Sequence, residues 1–344
     1  MSDSLKSLIQ RFRSYRNHQL LQSSYNAQYA FVGVGSHAMQ NLYPVLQYLG
    51  IKLKYICCRN SDKIPLIEGR FEVTATTSLD TILSDEDVKG VFVCTSPSAH
   101  FNICSRIIDA GKYAFVEKPP CTSLAQLNTL IAVDTRNKVM VGMQKRYSPY
   151  IMQLKSRMAK CKPISYNLIY HTGAYPEGNA DTELFIHPID TALFLFGDAE
   201  ISGFQRLDKS GATTIQILLN HGNVKGFIEL STAYSWSNPE ESLHINTDCG
   251  EFRLEQMERL RYYPHPKKFA GIPIDKIGAY NPEIQILAQR NNFSPLVVNN
   301  QLYSQGFLSE ITAFANMVER SGKNLSPLAS LLPTYHLLTN LTTD

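Results

Sequence analysis

From residue 28 onward the chain alternates short apolar runs with amphipathic helical stretches, and this alternation narrows the fold more than any other feature. The runs Tyr29–Val34, Leu53–Cys58, Gly90–Thr95, Tyr113–Glu117 and Val139–Met143 mostly lack a polar–apolar rhythm. That pattern predicts strands covered on both faces. Between them, Ala38–Leu49, Leu79–Leu83, Ala99–Ala110 and Leu124–Val133 read as helices. Such a succession predicts a parallel, right-handed, doubly wound sheet. In these sheets ligands bind beyond the C-terminal ends of the strands.

Three polar segments fall at that edge. The first, Gly33-Val34-Gly35-Ser36-His37-Ala38, has the form G-x-G-x-x-A between a strand and a helix. Gly33 permits the tight turn, Gly35 lets the backbone approach a pyrophosphate, and Ala38 allows close helix–strand packing. A Rossmann dinucleotide site is therefore predicted. The second segment is Thr95-Ser96-Pro97, with His100 following; the third is Glu117-Lys118-Pro119. At the end of the second strand, where a carboxylate would take a ribose hydroxyl, the chain has Cys58-Arg59-Asn60. Arg59 with polar Asn60 suits a 2′-phosphate, which favours NADP over NAD. The bland reading of Arg59 is a solvated strand-end charge.

The pattern changes beyond about residue 147. Ile164–His171, Thr213–Leu219, Val224–Leu230, Ser242–Asn246 and Glu251–Glu255 read as strands. Asn220-His221-Gly222-Asn223 reads as a hairpin turn. Helices are predicted near Leu184–Phe196, Phe307–Arg320 and in the Pro327–Leu341 region. The result is an open, mostly antiparallel sheet with helices on one face. The domains are then a helical extension at 1–26, a dinucleotide-binding domain at 27–147 and an α+β substrate and oligomerisation domain at 148–344. In the extension, Leu5, Leu8, Ile9, Phe12 and Tyr15 form an apolar helix face with Lys6, Arg11, Arg13 and Arg16 beside it. That helix packs on the body or a subunit partner, or else meets an anionic surface. Residues 22–26 read as a polar linker.

Composition excludes several classes. The 344 residues are 44% apolar and 18% charged, with a formal charge of +3. The chain can build real cores, and nothing points to nucleic-acid binding or a membrane span. Seven cysteines without a CxxC pair argue against a metal site and for a reduced, cytoplasmic setting.

Glu183, His187 and Asp190 recur at helical spacing. Gly33–Ala38, Thr95-Ser96-Pro97 with His100, Glu117-Lys118-Pro119, Gly142 to Arg146 with Pro149, and the segment around His187 to Asp190 occur together. In that order they resemble the glucose–fructose oxidoreductase / inositol dehydrogenase / rhizopine-catabolism family of NAD(P)-dependent oxidoreductases, over about residues 28–344. The resemblance implies hydride transfer to or from a hydroxyl of a sugar, cyclitol or nucleotide-sugar-like substrate. It gives Lys118 the role of stabilising alkoxide charge and His187 that of proton acceptor. Glu117 orients Lys118 or the cofactor. The family has an aspartate where this chain has Glu183. Pro188 directly follows His187, so the helix is expected to start near His187, with Glu183 on a preceding loop. Asp190 is placed to orient the imidazole.

Arg146 and Tyr147 either touch cofactor or substrate or form a domain-junction salt bridge. Tyr166, Tyr170, His171 and Tyr175 either line a sugar pocket or serve a half-buried sheet. Trp236 reads as a packing residue. Family members pair subunits through the sheet, so Ile215, Ile217 and Leu219, with Phe227 and Ile228, are expected to form a homodimer or homotetramer face. The alternatives to a dehydrogenase are a cofactor-retaining glycosidase of the same fold and a non-catalytic NAD(P)-binding regulator.

Overall fold

The computed structural model describes residues 3–21, 25–279 and 283–342. An N-terminal helix, α1 (Asp3–Leu21), precedes the first sheet. That sheet is built from β1 (Gln28–Val32), a π-helical turn (Ala38–Leu42) running into α2 (Tyr43–Leu49), β2 (Lys52–Cys57), α3 (Ile64–Phe71), β3 (Thr74–Thr76), α4 (Leu79–Ser84), β4 (Val88–Val93), α5 (Pro97–Asp109), β5 (Tyr113–Glu117), α6 (Leu124–Val133) and β6 (Val139–Gly142). The six strands are parallel in the order β3-β2-β1-β4-β5-β6. The order reverses between β1 and β4, so a crevice opens there above the strand ends. The sequence reading omits α3 and β3. A strand of three residues, Thr-Ala-Thr, is too short to show a period.

The second half begins with α7 (Pro149–Met158), β7 (Pro163–His171), α8 (Ala180–Glu183) and α9 (Ile186–Phe196). Then come β8 (Glu200–Lys209), β9 (Ala212–His221), β10 (Val224–Ser231), β11 (Glu240–Thr247), β12 (Gly250–Glu255) and β13 (Arg259–Pro264). A small hairpin of β14 (Lys268–Phe269) and β15 (Ile272–Pro273), then β16 (Gln285–Gln289), α10 (Gln301–Ser304), α11 (Phe307–Arg320) and α12 (Leu332–Thr342) complete the chain. The second sheet has eight strands in the order β16-β13-β12-β11-β7-β10-β9-β8. Its pairs are antiparallel except β7 with β10. The fold is thus the expected α/β plus α+β combination.

Packing corrects several expectations. Ile215, Ile217, Leu219 and Ile228 are at most 2% exposed and lie in one hydrophobic core with α9 and α12. They are on the covered face of the sheet and cannot be a subunit surface; only Phe227, of the five, is partly exposed. The two-residue period fixes which residues share a face, and the helices, not a partner, cover the more apolar one. Second, α11 returns to the first sheet: Phe314 packs on Tyr29, Phe92 and Phe115. A division at residue 147 therefore does not describe α11. Third, Tyr25 is not linker but core, 3% exposed and hydrogen-bonded through its hydroxyl to Asn316; residues 22–24 of the expected linker lie outside the described residues. On α1, Leu5, Leu8 and Phe12 are 46–66% exposed, whereas Ile9 is half-buried. Finally, Cys161 and Cys249 form a disulfide joining the segment before β7 to the β11–β12 turn, so the seven cysteines are not all reduced. No helix among the described residues is long and apolar enough to cross a membrane.

Candidate functional site

The glycine turn leaves β1 at the crevice. Gly33 has φ 117°, and a Cβ there would stand 1.9 Å from the Cys94 carbonyl oxygen, so only glycine fits between β1 and β4. At Gly35 the situation is opposite. A Cβ would meet nothing within 4 Å, so the backbone lies open on the side where a pyrophosphate would approach. Gly35, Ser36 and His37 are exposed at the start of the helix, while Ala38 is buried beneath it. Arg59 and Asn60 are exposed past the end of β2, which is tied to the glycine turn by Gly33 N–H donating to the Cys57 carbonyl. Part of Asn60 is committed elsewhere, since its side-chain oxygen caps the next turn at the Asp62 N–H. A cradle with an open glycine and an exposed helix start fits a nicotinamide dinucleotide.

His100 has a different place from the one predicted. It is 1% exposed and does not face the crevice. Its Nε2 accepts from the Thr95 N–H at 3.2 Å, and its Nδ1 is 2.7 Å from the Pro119 carbonyl oxygen, to which it donates. That pattern fixes a neutral imidazole, and burial also lowers its pKa. His100 positions the Thr95-Ser96-Pro97 and Glu117-Lys118-Pro119 segments relative to one another.

Glu117 ends β5 under Gly142, where a Cβ would be 3.0 Å from its carboxyl group. It accepts from the Lys118 N–H at 3.2 Å and lies 3.4 Å from His37 Nε2. Burial pulls the His37 pKa down, but the Glu117 charge and hydrogen bond outweigh it and the net shift is upward. For Glu117, burial raises the pKa, and His37 and Lys118 more than reverse that. His37 thus joins the cofactor turn to the cleft beside it.

Lys118 extends into that cleft, which has a volume of about 540 Å³, and His187 enters from the other domain. The Lys118 ammonium donates to the Glu183 backbone carbonyl at 2.5 Å. Burial lowers its pKa, opposed by Glu117 and Glu183. His187 sits in the first turn of α9 with Pro188 after it, as the sequence predicts. It is 7% exposed, and its Nδ1 is buried with no hydrogen-bond partner among the described residues. Burial holds its pKa well below the ordinary histidine value, and Lys118, Lys145 and His37 push the same way. A neutral imidazole in the same cleft as a half-buried ammonium is able to take a proton while the ammonium neutralises developing oxyanion charge.

The two carboxylates expected beside His187 are both directed elsewhere. Glu183 stands on the short turn α8, where its carboxylate accepts from the Tyr175 hydroxyl and the Asn179 N–H, each at 3.0 Å. It folds back over Gly178, whose missing Cβ leaves the room. Only its backbone carbonyl meets Lys118. Asp190 does not orient the imidazole. It holds Arg146 through both carboxylate oxygens, with Arg146 Nε 2.8 Å from Oδ2 and Nη2 2.5 Å from Oδ1, and it also accepts from the Thr334 hydroxyl. Arg146 further donates to Leu325 and Ser330. Both side chains are buried, so Arg146 is the junction salt bridge and not a ligand contact.

Two cleft residues escape the sequence reading. Lys145 precedes Arg146 and is 5% exposed; its ammonium pairs with Glu241 and lies over the Tyr170 ring at 5.2 Å. Its position at the C-terminal end of β6, the ligand side of the sheet, was the available signal. Trp236 is 53% exposed at the cleft and is no packing residue. Of the four aromatic candidates on and after β7, Tyr170 and His171 line the cleft, whereas Tyr166 is buried against Phe196.

Residues 27–145 match a family described as oxidoreductases with an NAD-binding Rossmann fold, GFO_IDH_MocA. YceM of Salmonella typhimurium is 29% identical over 236 residues, which are 67% of this chain and 76% of that protein. The inositol 2-dehydrogenase of Rhizobium meliloti is 26% identical over 137 residues, 36% of this chain and 42% of that enzyme. Among solved structures, a dehydrogenase from Chromobacterium violaceum superposes with a TM-score of 0.78 at 18% identity, covering 92% of this chain and 94% of that one.

Proposed function

We propose that the chain, whose residues 27–145 match the Gfo/Idh/MocA oxidoreductases, transfers hydride at a CH–OH or ketone carbon of a sugar, cyclitol or nucleotide-sugar-like substrate. One observation carries this reading: Lys118 and His187 reach the same cleft from different domains, beside the cofactor turn. When bound, the nicotinamide ring accepts or returns the hydride. The chain's own residues handle the proton and the charge. In the oxidative direction, His187 accepts the hydroxyl proton and Lys118 neutralises the alkoxide that forms. The Glu117 and Glu183 charges oppose the burial that lowers the Lys118 pKa, and the Glu183 carbonyl accepts from its ammonium.

Arg59 supports a preference for NADP, as an exposed guanidinium with no carboxylate in the Arg59-Asn60-Ser61 strand exit. Oligomerisation, where it occurs, uses the solvent face of the second sheet, to which Leu218 and Phe227 belong. The test is nicotinamide absorbance with purified protein across a panel of sugars, cyclitols and nucleotide sugars. Turnover that is lost in Lys118→Ala and His187→Ala supports the assignment. Absence of redox across the panel, with cofactor still bound, would favour a regulator.

A further inference from the structure

The single tryptophan of the chain lies at this cleft, and the topology puts it there. β7 and β10 run parallel with His171 opposite Ser231, so the chain leaves both strands at one edge. β11 enters at that same edge, with Glu240 opposite His171. The segment between β10 and β11 is then clamped onto the exit of β7. The Tyr234 N–H donates to the Thr172 carbonyl at 3.0 Å, and the Tyr234 ring stacks on His171 at 3.9 Å. Trp236 Nε1–H donates to the Ala174 carbonyl at 2.8 Å. Its five-membered ring edge abuts Gly173, where a Cβ would stand 2.4 Å from Cδ1.

The indole is therefore anchored along one edge, yet half its surface is uncovered. Around it the cleft carries Asn238, Glu240, Glu241, Gln256 and Lys145. A flat apolar face bordered by hydrogen-bonding groups complements a saturated ring, whose C–H face is apolar and whose rim carries hydroxyls. We propose that Trp236 is the platform on which the substrate ring lies, and that it selects cyclic polyols over open-chain ones. An open-chain polyol presents no such face without ordering several rotatable bonds first. The assignment rests on the oxidoreductase reading for its turnover arm and on binding alone for its other arm.

The lone tryptophan supplies the probe. Full-length protein saturated with oxidised cofactor is titrated with glucose, myo-inositol and other cyclic polyols, and with sorbitol as the open-chain counterpart. Tryptophan emission and turnover are read together. Cyclic polyols should change emission saturably, and sorbitol should not. Trp236→Ala should raise KM for cyclic substrates about tenfold or more with kcat little changed, since the ring face contributes to binding and not to the reacting centre. Trp236→Phe should recover most of that loss. Gly173→Ala, which displaces the indole, should reproduce the Trp236→Ala effect. An unchanged KM in Trp236→Ala overturns the platform and leaves the dehydrogenase standing. Saturable emission changes without any nicotinamide redox support the platform and remove the dehydrogenase. Equal responses to sorbitol and to cyclic polyols, or none to any of them, overturn the proposal.

Discussion

Two cation-bearing pairs cross the domain junction, and α9 contributes to both. Asp190 meets Arg146, and three residues earlier His187 shares a cleft with Lys118. The first pair is closed. Every Asp190 oxygen is engaged, and the guanidinium has further acceptors in Leu325 and Ser330. The second is left open, with a buried imidazole nitrogen that has no partner among the described residues and an ammonium that donates to a neutral carbonyl. A buried pair with complete hydrogen bonding fixes a geometry; one with a vacant donor or acceptor is available to a ligand. The same helix thus supplies a fully paired side chain and an unsatisfied one within a single turn.

The largest effect is expected at the closed pair. Asp190→Ala leaves the Arg146 guanidinium buried and unpaired, which costs on the order of 3–5 kcal/mol of stability. Urea unfolding reads this directly, and a loss under about 1 kcal/mol would mean that Asp190 is not structural. Lys118→Ala should do the reverse: turnover falls about 100-fold or more while the unfolding midpoint stays near that of the unaltered protein. If the two variants lose stability alike, the distinction between the pairs fails. Arg59 belongs to neither pair, and its loss should be selective. Arg59→Ala is expected to weaken NADPH binding about tenfold or more, the worth of a charge-assisted contact, and to leave NADH binding nearly unchanged. Equal weakening of both by calorimetric titration counts against a 2′-phosphate contact.

The smallest effects are pH dependences, and two buried groups give opposite signs. His187 is held neutral well below the ordinary value, so below about pH 6.5 the unfolded chain binds the extra proton and stability falls as pH drops. The acid limb of turnover should likewise lie below pH 6.5. Glu310, on α11, is fully buried, and neither carboxyl oxygen has a well-formed hydrogen bond among the described residues. Burial raises its pKa well above the carboxylate range, with Glu117 adding to the shift. Here the folded chain binds the extra proton, so stability falls as pH rises above about 4.5. Glu310→Gln should raise the thermal midpoint at pH 8 relative to pH 5 by a few degrees. A pH-independent difference would show that Glu310 is not protonated in the fold.

The first sheet was legible because its signals are local. Gly33 and Gly35 bracket one turn, and Glu117-Lys118-Pro119 sits at the end of an apolar run, so strand ends, turn and lysine follow from neighbouring residues. What was not legible depends on where side chains go after the elements pack. Spacing puts Asp190 on the face of His187, yet it turns to Arg146, a partner 44 residues away. Glu183 has the charge expected of its position, but the empty space at Gly178 draws its carboxylate back. The alternation of Ile215, Ile217 and Leu219 announces an apolar face without saying what covers it. Trp236 acquires its surroundings only through the parallel pairing of β7 and β10, which no local pattern encodes.

His100 has one further consequence. An imidazole that must accept from one peptide and donate to another works as a rivet only while it carries a single proton. A second proton, taken at Nε2, would set donor against donor at the Thr95 N–H, while the Nδ1–H bond to the Pro119 carbonyl would remain. The Thr95 loop would then be released from the histidine while the segment after Lys118 stayed fastened, so acid would loosen the floor of the cleft from one side.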